Sequence, residues 1–240
     1  MSRRFNLIGD GRAGGSLRAA LIDAGWECAT VFRRGDDLAA AAVGVDVCII
    51  ATADVAIATV AAVIEPGDAV VMHLSGALGL DVLAPHRAAG LHPLVSLADP
   101  RSGARQLRSA WFAVAGEPIA EEIAAALSGY SFPIDDADRA TYHAAAAIAS
   151  NHLVALLGQV ERLAIELNID FEVFLPLVKA SIDNVSEKGP RAALTGPAAR
   201  GDMATIEKHR AALRERHSDE LSAYDCLVEL AIKLAGNDLQ

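Results

Sequence analysis

The stretch NLIGDGRAGGSLRAALIDAG, residues 6–25, decides the fold. It follows directly on a short apolar run, RFNLIG (4–9), that reads as a buried strand, and it opens into a helix. Between the two, Gly9, Gly11 and Gly14 stand in G-x-G-x-x-G spacing. Gly9 permits a tight turn, Gly11 lets the backbone approach a pyrophosphate, and Gly14 lets helix and strand pack closely. The helix N-terminus, with Arg12 and Ala13 in its first turn, offers unpaired N–H groups and a positive dipole end to an anion.

The pattern continues outward. ECATVFR (27–33), VDVCIIA (45–51), DAVVMHL (68–74), GLHPLV (90–95), AWFAVAG (110–116) and YSFPID (130–135) read as further strands. They are short, mostly apolar and joined by segments of helical length, as parallel strands buried on both faces are. The expected fold is α/β: a doubly wound, mostly parallel Rossmann sheet followed by an all-α C-terminal domain. The strands stop near Asp136, so the domains are expected at 1–136 (dinucleotide-binding) and 137–240 (helical). In the second, helices are expected over 138–167, 171–187 and 203–234, with a short turn at 189–194, and with Asp170 and Asp202 as N-caps.

Composition excludes several classes. With 31 acidic against 21 basic side chains, net −10, the chain lacks the clustered cations that bind nucleic acid or an anionic membrane. No apolar stretch reaches the roughly 18 residues of a spanning helix. Cys28, Cys48 and Cys226 are odd in number and far apart, which argues against both a disulfide scaffold and a zinc site. No metal is expected. The N-terminus carries no signal-peptide pattern, and a cytoplasmic location is expected.

Ligands of open α/β sheets bind outside the carboxyl ends of the strands. After the second strand the chain reads VFRRGDD, where Arg33 and Arg34 suit a 2′-phosphate, so NADP is expected over NAD; Asp36 or Asp37 would take a ribose hydroxyl if the strand ended later. After the third come Ala51, Thr52 and Asp54, expected along the dinucleotide; after the fourth, Ser75 with its hydroxyl and Gly76 with its close backbone approach; after the fifth, His92. His73 reads as a structural residue inside its strand.

In the first long helix, HAAAAIASNH (143–152) puts a histidine at each end of an alanine run. At about 100° per residue His143 and Asn151 lie about 80° apart, with Ser150 near the His143 direction, while His152 points about 180° away.

The motifs LIGDGRAGGSL, ATAD, HLSGA, HPLVS, YHAAAAIASNHLVAL and LTGPAARGD together resemble a bacterial family that joins a Rossmann-like NADP-binding domain to a helical domain of unknown function, DUF2520. More distantly the chain is similar to the 6-phosphogluconate dehydrogenase-like superfamily, which includes ketopantoate reductase, 3-hydroxyisobutyrate dehydrogenase, pyrroline-5-carboxylate reductase and prephenate dehydrogenase. The resemblance implies a small substrate bound between the nucleotide domain and the first long helix. The lysine that ketopantoate reductases carry on that helix falls on His143, and their two asparagines on Ala147 and Asn151, so this chain departs from them at two of three positions.

These readings converge on hydride transfer between nicotinamide and a small carbonyl or imine. That reaction calls for a positioned proton donor. His143 is expected as the acid/base, with Asn151 orienting substrate and Ser75 and His92 on the opposite wall. Ser150 and Arg200 are expected to bind substrate, the latter through its guanidinium fork; Arg200 would otherwise pair with Asp202 to cap the last helix. The rival reading is an NADP-binding sensor without turnover. A homodimer is expected by analogy.

Overall fold

The structure is a computed structural model that describes residues 2–236. Its sheet orders seven strands as β2-β1-β3-β4-β5-β6-β7. In chain order these are β1 (Arg4–Ile8), β2 (Glu27–Phe32), β3 (Val47–Ile50), β4 (Val70–His73), β5 (Ala88–Pro93), β6 (Trp111–Gly116) and β7 (Tyr130–Pro133). Each strand expected from the sequence is there, with the fifth shifted toward its N-terminus. Strands β1 to β5 pair in parallel; β6 runs antiparallel to β5, and β7 parallel to β6.

Side-chain alternation explains the two covered faces. Val47 and Ile49 of β3 join one core, while Cys48 and Ile50 join another; Val70 and Met72 of β4 alternate with Val71 in the same way. The first core is closed by Leu17 and Leu21 of helix α1 (Arg12–Asp23), by Ala104 of α3 (Pro100–Gln106) and by Ile119 and Ile123 of α4 (Ile119–Ala126). The second is closed by Ile57 and Ala61 of α2 (Asp54–Ala61) and by Leu83 of a 3-10 turn (Leu80–Leu83). Because β2 and β3 leave β1 on opposite sides, the strand order reverses at β1. Such a switch point opens a crevice at the carboxyl ends of the strands.

Packing divides the chain into two compact units, Met1–Ser150 and Asn151–Gln240. The composition of the chain changes near Asp136, but helix α5 (Arg139–Ala147) packs with the sheet. Its Arg139 is 1% exposed, and its Tyr142 ring stands edge-on to Phe132 of β7.

The second unit contains α6 (Leu153–Glu166), α7 (Leu175–Ala193), α8 (Pro197–Arg200), α9 (Met203–Arg216) and α10 (Leu221–Ala235). Two helices expected as continuous are interrupted. A π-helical turn, Ile148–His152, separates α5 from α6. The segment 203–234 breaks at His217, whose φ and ψ of −143° and 55° leave the helix. No Gly or Pro marks that break. It brings Glu220 onto Arg162, whose Nη2 donates at 3.1 Å, and lets the Glu220 carbonyl accept from Gln159 at 3.0 Å. Tertiary pairing here overrides local helix preference. Asp202 caps α9 as expected, accepting the Thr205 N–H at 3.1 Å, whereas Asp170 precedes a 3-10 turn (Phe171–Phe174) without a side-chain cap. The break at Gly189 appears as a kink inside α7, at φ +75°.

Candidate functional site

The glycine loop behaves as its spacing requires. Gly9 sits at φ +96°, and a Cβ there would lie 2.9 Å from the Ala51 carbonyl oxygen. A Cβ on Gly14 would stand 2.0 Å from the Gly9 oxygen and 2.9 Å from the Ala51 Cβ. Strand β1, helix α1 and the end of β3 therefore meet with no room for side chains at these positions. Around Gly11 the opposite holds, since a Cβ there would meet nothing within 4 Å. Gly11 is also the N-cap of α1, and no side chain caps that helix. The Gly15 N–H makes the bond to the Gly11 carbonyl at 2.8 Å, which leaves the N–H groups of Arg12, Ala13 and Gly14 ahead of the intrahelical ladder. An open approach, bare N–H donors and a positive dipole end fit a dinucleotide pyrophosphate.

Asp10, between the first two glycines, would repel a phosphate if its charge were bare. Arg18 holds it through two bonds of 2.9 and 3.2 Å, and the Arg33 guanidinium lies 3.9 Å away. Asp10 is not legible in the sequence, because a single acidic side chain inside the motif carries no spacing signal.

At the end of β2 the local bonds sort the charged groups. The Asp36 carboxylate accepts the Arg33 N–H at 2.7 Å, and Asp37 accepts the Ala39 N–H at 3.0 Å, so both acids hold their own turn. Arg33 and Arg34 are exposed immediately beyond the strand.

After β3 and β4 the expected residues take unequal places. Ala51 and Thr52 back the glycine loop, the Thr52 backbone nitrogen standing 3.4 Å from where a Gly9 Cβ would be. Ser75 is 5% exposed, and its hydroxyl donates to Asp54 Oδ2 at 2.7 Å while accepting the N–H groups of Ala77 and Leu78 at 3.1 Å each. All of its bonding capacity goes into fixing the loop after β4. His73 is fully buried; its Nδ1 accepts the Ser75 N–H at 3.2 Å and its Nε2 meets the Gly79 carbonyl at 3.2 Å, which makes it structural. Burial lowers its pKa.

His92, Tyr142, His143 and Gly76 come together. The His92 and His143 ring centroids are 5.8 Å apart, edge to face. A Cβ on Gly76 would fall 2.8 Å from His143 Cδ2 and 2.9 Å from both Cε1 and Nε2 of His92, so the absence of a side chain there admits both rings. Tyr142 Oη lies 2.6 Å from His92 Nδ1. Burial, with the nearby His143 next, pushes the His92 pKa down from 6.5 to about 4. Burial raises that of Tyr142. Tyr142 was not singled out from the sequence; its signal was its position one residue before His143, on the helix face that turns to β5.

Beneath this cluster Arg139 donates from Nε to Asp136 at 2.7 Å, and Asp136 also accepts the Leu80 N–H at 3.1 Å. These bonds hold the Asp136 pKa low. Arg139 Nη2 lies 3.1 Å from where a Gly90 Cβ would be, so the guanidinium packs on β5 at the start of α5.

Ser150 and Asn151 fall in the π-helical turn, where the 100° spacing that aligned them with His143 no longer applies. His152 closes the same turn and is exposed. Arg200 is exposed at the end of α8, and Asp202 caps α9 through Thr205. Among the described residues no group of three or more His, Cys, Asp or Glu is placed to hold a metal ion, and no helix is long and apolar enough to cross a membrane.

Comparison with solved structures places the fold. A candidate NADP oxidoreductase from Bacteroides fragilis matches with a TM-score of 0.82 at 20% identity, covering 97% of this chain and 98% of the other. A protein from Thermotoga maritima matches with a TM-score of 0.74 at 24% identity, over 97% and 98%. Pyrroline carboxylate reductase from Plasmodium falciparum, solved with NADP bound, matches with a TM-score of 0.62 at 11% identity, over 97% and 98%. No curated protein sequence matches. Residues 113–230 match the family model described as Domain of unknown function (DUF2520). The chain thus carries a match to the DUF2520 model over those residues and shares the Rossmann-type fold of these solved structures.

Proposed function

We propose that the protein is an NADP-dependent oxidoreductase that moves hydride between nicotinamide and a small carbonyl or imine compound. The observation that carries this reading is the occurrence, in one parallel sheet, of an open glycine cradle at Gly11 after β1 and of a His92, Tyr142 and His143 cluster where α5 meets the carboxyl end of β5. Gly9, Gly11, Arg12, Ala13 and Gly14 hold the pyrophosphate, with Ala51, Thr52, Asp54, Ser75 and Gly76 along the dinucleotide. NADP is favoured over NAD because Arg33 and Arg34 stand exposed beyond β2 while Asp36 and Asp37 are tied to backbone N–H groups. When bound, the cofactor supplies the hydride.

His143, exposed and carried on a helix fixed to the sheet, delivers or takes the proton at the substrate heteroatom. His92 faces it across Gly76. Ser75 acts by holding its loop. The substrate is a small molecule, and a second copy of the chain is the expected partner. Exposed Ile165, Val173, Leu177, Leu227 and Leu230 on the helical unit support such an apolar interface. Cys28, Cys48 and Cys226 are free thiols, which suits a reducing cytoplasm.

The sensor reading draws on one observation, the histidine in place of a lysine at position 143. NADPH titration followed by a panel of keto acids, aldehydes and imines separates the two. Saturable binding with substrate-dependent NADPH oxidation supports the enzyme, and His143→Ala then lowers kcat by about 100- to 10,000-fold. Saturable binding without oxidation across the panel selects the sensor. A loss below about tenfold on His143→Ala removes the acid/base role.

A further inference from the structure

We propose that His92 is a hydrogen-bond donor through Nε2 to a substrate oxygen, that Tyr142 is the positioning residue that fixes this tautomer, and that the site is therefore built for carbonyl compounds rather than iminium ions. The proposal rests on the oxidoreductase reading and deepens it.

The proton on Tyr142 sets the tautomer of His92. Its hydroxyl is 2.6 Å from His92 Nδ1, and among the described residues it has no other hydrogen-bond partner. A phenol is the stronger donor of such a pair, so the Tyr142 O–H points to Nδ1 and Nδ1 accepts. A neutral imidazole that accepts at Nδ1 carries its hydrogen on Nε2. That nitrogen has no partner among the described residues, and it sits 2.9 Å from where a Gly76 Cβ would be. Gly76 thus leaves a donor edge uncovered where any other residue would cover it.

The surroundings keep the ring uncharged. Burial is the largest influence, and His143, Arg139 and His73 add to it; Asp54 alone opposes them, and its Oδ2 is engaged by Ser75. Among the described residues no carboxylate bonds to His92, and Tyr142 occupies Nδ1. An imidazole in this state polarises an oxygen by donating a hydrogen bond and remains poised in that state through turnover.

The two histidines then have different tasks. With a bound nicotinamide supplying hydride to the carbonyl carbon, the carbonyl π pair would move onto oxygen, and His92 Nε2–H would meet the developing negative charge. The oxygen takes its proton from protonated His143, giving the alcohol, neutral His143 and oxidised cofactor. An iminium nitrogen has no lone pair to accept from Nε2–H, and its own N–H requires an acceptor. A donor at His92 opposes that substrate.

Long-range proton–nitrogen NMR of the histidine rings, on the full chain with and without NADPH, reads the tautomer without needing turnover. The expected result is His92 as the Nε2–H form, uncharged down to about pH 5. Tyr142→Phe should mix the two tautomers, and His143→Gln should leave the Nε2–H form in place. An Nδ1–H form in the unmodified protein, a ring that charges near its ordinary pKa, or an unchanged tautomer in Tyr142→Phe overturns the proposal. The substrate panel tests the class. Oxidation of NADPH by aldehydes or keto acids, abolished in Gly76→Ala, supports it. Oxidation by cyclic imines alone overturns the carbonyl assignment while leaving the oxidoreductase reading intact. No oxidation by either class overturns that reading, and the enzymatic role of His92 with it, independently of the tautomer that NMR finds.

Discussion

Single residues at the strand ends differ in how much of their role the sequence reveals. Gly9, Gly11 and Gly14 were legible because a backbone requirement leaves a spacing: two are crowded by Ala51 or Gly9 itself, and one faces open space. Ser75 was legible in place but not in task, because a hydroxyl that holds a loop and one that meets a ligand look alike in sequence. Arg33 and Arg34 lead to a direct expectation. Replacing both with Ala should weaken NADPH binding by about tenfold or more while changing NADH affinity little, since only NADPH brings the 2′-phosphate. Equal losses for the two cofactors, read by fluorescence titration, would remove them from the phosphate site. His92 carries a stability signature. Its folded pKa of about 4 lies below the 6.5 of an unperturbed histidine, so between these values the unfolded chain binds more protons. The stability of the unliganded protein toward urea should therefore fall as pH drops from about 6.5 toward 4, and His92→Gln should flatten that slope. An unchanged slope in the variant would mean that His92 does not titrate as its burial requires.

The elements show where pattern reading succeeds and where it stops. All seven strands were legible because each is short, apolar and bounded by turn residues. The boundary of the first unit was less so, since α5 packs on the sheet through Arg139 and Tyr142, and neither stands out in composition. The π-helical turn at Ile148–His152 and the break at His217 were not legible at all, because both arise without a Gly or Pro. The tie that holds α5 can be tested. Asp136 bonds both Arg139 and the Leu80 N–H, joining the start of the helix to the loop after β4. Asp136→Ala leaves the Arg139 guanidinium, with 2% of its side chain exposed, without its carboxylate. Because Asp136 is itself half exposed, a loss on the order of 1.5 kcal/mol in urea unfolding is expected. A loss under about 0.5 kcal/mol, the range of an ordinary surface substitution, would show that this pair does not hold the helix.

At the scale of the whole molecule, the chain joins a Rossmann-type sheet to a helical unit whose surface keeps many apolar side chains exposed. Light scattering at micromolar concentration should give twice the mass of the 240-residue chain, and a charged substitution at Leu230, which is 57% exposed, should lower it. A monomer at all concentrations would refute the partner assigned here. The central claim, that the glycine cradle and the histidine cluster serve one hydride transfer, is tested most directly by isotope. The protein is incubated with NADPH carrying deuterium at the transferable position of the nicotinamide, together with the carbonyl panel, and the products are weighed by mass spectrometry. The account predicts an alcohol with one deuterium on the former carbonyl carbon, formed by the unmodified protein and strongly diminished in His143→Ala. NADPH bound at saturation, with no deuterium in any product, would contradict it.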